Sequence, residues 1–532
     1  MATRDLPHSV SDLLFGWSKH LKKEITLNKT QEQLIAEDFQ NDEDAPPETK
    51  VKMTNLWPAF ASGAGLFSDG YVNNSISTVI SCLSIIYKDE FTKSNAISNI
   101  GSIAFVGTVV GQLSFGYISD RIARKGGMMT ANIILIVFTL LCAVATWGKT
   151  PYGLFAAITT FRFFLGVGIG AEYPTSSVIA SEFANMLPAG KRNRYFNWFT
   201  NFMIDTGFVI SSFVPLVLLW IFSERHLRAV WRLTIGLGVI PPLSLFFIRL
   251  RMKNSSSFTK LHMKKVSYRN YPWWLITKFY WFRLTVISLM WFIYDFSAYS
   301  FGTYSTIIMG QIIPNDSLYK TWGWSVVFNL FYIPGAFTGA IAADYIGPRL
   351  TFVLGVGLQG VIGIIMSACL GSLRKHIAAF VVVFGIFTTL GEFGPGDNIG
   401  LLASKTSATP IRGQYYGIAA AIGKIGAFVG TWVFPVIQRR YADNADPNLE
   451  LQVPFYISSA LCIFSASIAF FFCPSVGQDA INREDEDFVN YLRANGFDVS
   501  QLGDGGVVEV QEESSDDNKE EKGRVNIDQE SY

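Results

Sequence analysis

Twelve runs of about 20 or more mostly apolar residues, each long enough to cross a bilayer as a helix, constrain this chain more than any other feature. They lie at 57–86, 97–118, 127–147, 151–183, 194–222, 229–250, 279–309, 321–345, 350–371, 377–403, 412–436 and 451–473. In hydrocarbon each backbone amide must find a partner within its own segment, which leaves helices as the solution for runs of this length. The expected fold is therefore an all-α membrane protein with twelve transmembrane helices. Half of the 532 residues are hydrophobic, too many for an ordinary soluble enzyme. Residues 1–53 are polar, with no apolar core and cleavage site of a secretory signal, and read as a disordered cytosolic head.

Lys and Arg cluster in alternate connections, at Arg121, Arg124 and Lys125, at Lys191, Arg192 and Arg194, and through a central loop, 251–278. By the positive-inside rule these connections and both termini face the cytosol. Beyond residue 474 the chain turns acidic and reads as a disordered tail with one short helix near Phe488 to Arg493. A net charge of +1 points to neither nucleic acid nor an acidic surface. The five histidines fall in tails and loops, and no Cys/His spacing suits zinc. An enzyme, a cofactor and a metal are therefore not expected.

The two halves repeat one another. Asp69 and Asp295 occupy the first and seventh runs, Asp120 and Asp344 follow the second and eighth, and Ala180-Ser181-Glu182 matches Ala403-Ser404-Lys405. Two parallel six-helix bundles, 54–250 and 279–473, are expected to be related by pseudo-symmetry, with a solute site between them.

Ionisable residues inside the apolar runs mark that site. A carboxylate at mid-bilayer costs about 2.5–3.5 kcal/mol on insertion scales and persists where it faces a cavity or a partner. Glu172 stands in RFFLGVGIGAEYPTSSVIASE beside Tyr173 and Pro174, within a helix laced with Gly166, Gly168 and Gly170. Asp69 and Glu172 form a candidate proton path, an ion pair of Glu172 with Arg162 or Lys424 being the alternative. Trp291, Asp295 and Tyr299 recur at i, i+4 and i+8, a lining stripe with an acid in it. Gly-Pro-Gly at 394–396, next to Asp397, is expected to break its helix beside a cavity, and Lys424 lies about halfway into its run, able to meet a phosphate oxygen. GYISDRIARK, Gly116 to Lys125, lets Asp120 bond the helix-start amides of a neighbouring segment and close one side, with Arg121 and Arg124 beside it. GAIAADYIGPR, Gly339 to Arg349, is its second copy around Asp344.

These motifs resemble the loop signature of the major facilitator superfamily. GIGAEYPTSSVIASE is similar to the span 4 signature of its phosphate:proton symporter branch, GGDYPLSATIxSE, with Glu172 for Asp and Ala171 for Gly. The resemblance extends to Asp69, to the stripe Trp291, Asp295, Tyr299 and to the run from Phe393 to Lys424. It implies that Asp69 and Glu172, with Asp295, serve the proton, and that Tyr173, Trp291, Asp295, Tyr299 and Lys424 serve the phosphate group. Gly-Pro-Gly-Asp stands where phosphate permeases have Gly-Pro-Asn, and this, with SDGYVNNSIS and the KIGAFVG run, is similar to fungal glycerophosphodiester permeases. That narrower resemblance implies proton-coupled uptake of glycerophosphocholine or glycerophosphoinositol at the plasma membrane. Loss of an asparagine at Gly396 leaves room for a bulkier solute, Asp397 adds an acid that a choline group could face, and Asn201 offers an amide to inositol hydroxyls. Inorganic phosphate symport and a non-transporting nutrient receptor remain alternatives. A monomer in the bilayer is expected, with Asn315 in an outer-loop sequon open to glycosylation.

Overall fold

In the computed structural model the described residues are 57–503, apart from 122–123, 185–186, 188–189, 251–260, 264–265, 267, 313–316, 442–443, 445, 447 and 479. The polar head and Asn315 lie outside them. Among the described residues there are twelve long helical units. They are α1 (Trp57–Tyr87), α2 (Ala96–Arg121), α3 (Arg124–Ala143), α4 (Pro151–Ala184), α5 (Arg192–Phe222), α6 (Glu224–Leu250), α7 (Trp273–Thr303), α8 (Leu318–Tyr345), α9 (Pro348–Ala368), α10 (Ile377–Lys405), α11 (Thr409–Tyr441) and α12 (Leu449–Phe472). Eleven are long and apolar enough to cross a membrane on composition alone. The remaining one, α1, is diluted by Ser, Gly and Asn and still runs for 31 residues. The expected boundaries move most at α7, which begins at Trp273 inside the stretch read as central loop.

Exposure is inverted relative to a soluble protein. Leu354, Leu358, Val361 and Ile365 of α9, spaced on one face, are all exposed, as are Ile133, Val137 and Leu140 of α3. The interior instead holds Asp69, Glu172, Asp205, Asp295, Glu392, Asp397 and Lys424. Apolar side chains gain nothing by leaving lipid, so they coat the outside while polar groups find one another within.

Helix packing repeats the internal symmetry. In a six-helix repeat α2 corresponds to α8 and α5 to α11, and the bundles meet through α2 against α11 and α8 against α5. The three glycines of α4 split their duties. Gly166 and Gly170 lie against backbone oxygens of α2, at Ala104 and Thr108, while Gly168 faces α3, where a Cβ would come within 2.9 Å of Ile134.

Two prolines alter the helices next to the interior without breaking them. α4 widens into a π-helical turn at Tyr173–Ser177 around Pro174, and α10 does so at Glu392–Gly396 around Pro395. The break expected at Gly-Pro-Gly is thus one wide turn, after which α10 continues to Lys405. A proline removes one ladder bond, and the extra residue of a π turn accommodates its ring.

The acidic tail is ordered further than its composition implies. Ala480–Ala494 forms a fifteen-residue helix, α13. Its apolar positions Ile481, Phe488, Val489 and Leu492 share one buried stripe. Phe488 packs on Phe279 and Tyr280 of α7. Glu484 accepts two hydrogen bonds from Arg283, at 2.9 and 2.8 Å. Asp485 accepts from the Thr409 amide at 2.5 Å and its hydroxyl at 2.6 Å, at the start of α11. Burial holds the Asp485 carboxyl above its usual range against the pull of Arg412 and these two bonds. Lys405, in the position matching Glu182, donates to the carbonyls of Gly477 and Gln478 and so anchors the lead into α13.

Candidate solute-binding site

Between the two bundles lies a cavity of about 810 Å³, to which α1, α4, α5, α7, α8, α10 and α11 contribute. Three features of the chain aim side chains into it. The π turn of α4 presents Tyr173, the i, i+4, i+8 stripe of α7 presents Trp291, Asp295 and Tyr299, and α11 carries Lys424 twelve residues beyond Arg412, about 18 Å along the axis.

One pole of the cavity is built on the lysine. Lys424 Nζ donates to Asp295 Oδ2 at 2.8 Å, and both side chains are about 1% exposed. The ammonium lies 3.9 Å from the Tyr299 ring centroid and 5.2 Å from that of Tyr173, whose hydroxyls are 3.3 Å apart. Trp291 closes the wall edge-on against Tyr416, with ring centroids 5.3 Å apart. An ammonium with two aromatic faces and one carboxylate is a cation that can exchange its partner for an incoming anion.

A second pole of the lining is acidic. Asn201 Nδ2 donates to Glu392 Oε2 at 3.0 Å, to Asp397 Oδ1 at 3.2 Å and to Asp205 Oδ2 at 3.3 Å. An amide nitrogen carries two hydrogens, so three acceptors share two donors. Tyr294 donates to the other Glu392 oxygen at 3.0 Å. Tyr294 and Asp295 are consecutive in α7, so the helix turns one towards each pole. The space expected to open over Gly396 is occupied in part by this pole: a Cβ there would meet the Glu392 carboxylate and come within 2.9 Å of the Tyr294 hydroxyl.

The two carboxylates read as a proton path lie beside the cavity rather than on its wall. Glu172 is ion-paired with Arg249 and accepts from Ser176 at 2.9 Å, with neither Arg162 nor Lys424 as partner. Asp69 is fully buried, and neither of its oxygens has a hydrogen-bond partner among the described residues. Gly65, one turn away on α1, abuts the Arg249–Glu172 pair, and Asp69 is within electrostatic reach of that pair and of Lys424.

Both copies of the loop motif reach across to the other bundle. Asp120 at the end of α2 accepts from the amides of Gly413 and Gln414, at 2.9 and 2.8 Å, in the first turn of the long helical part of α11. Asp344 at the end of α8 accepts from the Asn193 amide at 3.1 Å and from Arg194 Nε at 2.6 Å, at the start of α5. The second copy thus bridges the bundles as the first does, with the Arg194 guanidinium also 5.9 Å from the Tyr345 ring centroid. Arg124 pairs with Glu182 and donates to the Thr409 carbonyl at 3.2 Å. Arg121 turns instead to the central loop, donating to Met263 O at 3.3 Å beneath the Tyr271 ring. On the far side of the cavity Ser77 meets Thr306 at 2.7 Å and Asn74 donates to Asn329 at 3.1 Å. The halves thus touch on both sides of the hollow.

Asp205, Glu392, Tyr294 and Arg249 were not singled out from sequence. Asp205 and Glu392 lie inside apolar runs and carry the same signal as Glu172, an acid at membrane depth. Arg249 falls at the loop end of its run beside Arg251, where a basic residue reads as a flank.

Comparison with known proteins agrees with this architecture. The family model described as sugar (and other) transporter matches residues 55–271 and 261–486. This chain belongs to that family, within the major facilitator superfamily. It is a membrane transporter, not an enzyme. Among curated relatives it is 76% identical to the glycerophosphodiester transporter GIT2 of Candida albicans, over 95% of this chain and 94% of that one. It is 74% identical to the major glycerophosphoinositol permease GIT3 of the same organism, over 98% of each. The glycerophosphocholine permease GIT4, also from Candida albicans, is 72% identical, with 97% of this chain and 96% of the relative covered. Among solved structures, the proton:xylose symporter XylE bound to 6-bromo-6-deoxy-D-glucose superposes with a TM-score of 0.66 at 14% identity, covering 80% of this chain and 98% of that one, a likeness of fold.

Proposed function

We propose that this transporter carries glycerophosphodiesters into the cell across the plasma membrane by proton-coupled alternating access, as a monomer with both termini cytosolic. The observation that carries the reading is a buried lysine, Lys424, held by Asp295 on the wall of a cavity between the bundles. A phosphodiester bears one negative charge, so one lysine with the hydroxyls of Tyr173 and Tyr299 matches it. The relatives named above, all more than 70% identical, carry solutes of this class by name.

In this mechanism the phosphodiester takes Lys424 from Asp295, and the released carboxylate receives a proton so that no bare charge stays buried. Asp69 is the proton carrier beside the cavity, and the Arg249–Glu172 pair sets the field in which it titrates. Bringing a monoanionic diester such as glycerophosphoinositol inward against an inside-negative potential costs about 2.3 kcal/mol per 100 mV, and two accompanying protons reverse the sign. The Asp120 and Asp344 latches close the loop side in one state and open in the other, while the Ser77 and Asn74 contacts do the reverse on the far side. The test is counterflow of labelled glycerophosphoinositol in proteoliposomes, competed by glycerophosphocholine or by inorganic phosphate. Exchange blocked by the diesters but not by equimolar phosphate is expected. Exchange blocked by phosphate alone, or binding without exchange, overturns the proposal.

A further inference from the structure

We propose that the acidic pole, Asp205, Glu392 and Asp397 around Asn201, is a subsite for a cationic alcohol headgroup, and that the solute it fits best is a phosphodiester of choline. The inference rests on the glycerophosphodiester reading above and adds to it which headgroup the cavity is built for.

The carboxylates are 1%, 3% and 1% exposed and share the two hydrogens of one amide. Asp205 Oδ1 has no hydrogen-bond partner among the described residues although its side chain lines the cavity. On the α1 wall of the same cavity, Asn73 Oδ1 is likewise without a partner. Buried carboxylates with no cation paired to them among the described residues are unfavourable unless a ligand's positive charge or a proton compensates them. Lys424, the cation lining this cavity, is held at the other pole by Asp295.

The walls of the acidic pole are aromatic. Phe208 lies one turn from Asp205 on α5 and packs edge-on against Tyr332, with centroids 5.1 Å apart. Tyr332 is within electrostatic reach of both Asp205 and Glu392, and Tyr294 hydrogen-bonds Glu392. A quaternary ammonium has no N–H to donate and is recognised by carboxylate charge and ring faces, both of which are present here. An inositol ring brings hydroxyl donors but leaves the charge of the acids uncompensated, so it occupies the pole only with the carboxylates protonated. A choline group replaces one of those protons. The phosphate sits at Lys424 and the ammonium at the acids, so the dipole of the solute runs from one pole of the cavity to the other.

The test uses the full-length transporter in proteoliposomes and three diesters of glycerophosphate: the choline ester, its neutral isostere in which carbon replaces the ammonium nitrogen (the 3,3-dimethylbutyl ester), and the inositol ester. Affinity of the wild type for the choline ester at least tenfold tighter than for the neutral isostere is expected, and equal affinity overturns the inference. Glu392→Gln and Asp205→Asn are expected to lower the choline-to-inositol preference at least tenfold, and a preference that moves less than threefold overturns it. The isostere comparison needs no variant to fold. Transport of the inositol ester with no preference for the charged choline ester defeats this inference alone, whereas exchange of phosphate with no diester defeats the reading beneath it.

Discussion

Asp295→Asn tests the exchange at Lys424. The two side chains are 2.8 Å apart and almost wholly buried. At an effective dielectric of about 20 their gross attraction is about 6 kcal/mol. A phosphodiester that takes the lysine and leaves Asp295 ionised strands a buried carboxylate, a penalty of about 3–5 kcal/mol, or roughly a hundred- to several thousand-fold in Kd. Proton uptake by Asp295 removes the penalty and makes affinity depend on pH. If one proton is taken up with the solute, Kd rises about tenfold per pH unit above the range where that proton is freely available. The asparagine variant carries no charge to strand, so its log Kd against pH is expected to be shallower by about one unit of slope, with tighter binding than the wild type at pH 8. The assay is equilibrium binding of labelled glycerophosphodiester to purified protein at pH 5, 6, 7 and 8. An unchanged slope in a variant that still elutes as a folded protein and binds solute refutes the exchange.

Other consequences follow from the same geometry. Asp69→Asn is expected to keep counterflow while losing accumulation driven by external acid; full pH-driven accumulation in the variant counts against a proton role. Arg249→Ala leaves Glu172 buried and unpaired, so thermal unfolding in detergent is expected to show a loss of about 3–5 kcal/mol, with most of it restored by adding Glu172→Gln; additive losses contradict the pairing. Asp120→Ala and Asp344→Ala each remove bonds to helix-start amides worth about 0.5–2 kcal/mol, so alkylation of a cysteine placed at Ser181 is expected to speed up roughly two- to thirtyfold. Unaltered labelling means that these latches do not set the loop-side closure.

The first repeat signal, Asp120 against Asp344, was readable because each acid sits in a recognisable loop motif, and the structure sends both to equivalent helix starts on opposite bundles. Lys424 and Asp295 were both found from sequence, since each is an ionisable group deep in an apolar run, but nothing in the spacing paired them. Glu172 shows the limit most clearly. Its burial was evident, yet its partner Arg249 lies 77 positions away, at a helix end where an arginine is unremarkable. Asp205 and Glu392 carried the same signal and gained their meaning only when Asn201 brought them together. The tail misled because acidic composition suggested solvation, while Glu484 and Asp485 have Arg283 and Arg412 to meet.

The sequence by itself determined the twelve helices, their division into two related bundles and the presence of charge inside them. Each of these depends on runs of neighbouring residues and on the cost of placing backbone or charge in hydrocarbon. Which charge meets which was decided only by the tertiary structure. Partners such as Asp120 and Gly413 are separated by 293 positions, and their meeting depends on how whole helices pack. The same packing brings Lys424, its partner Asp295 and three further acids, from four helices, onto the lining of one cavity.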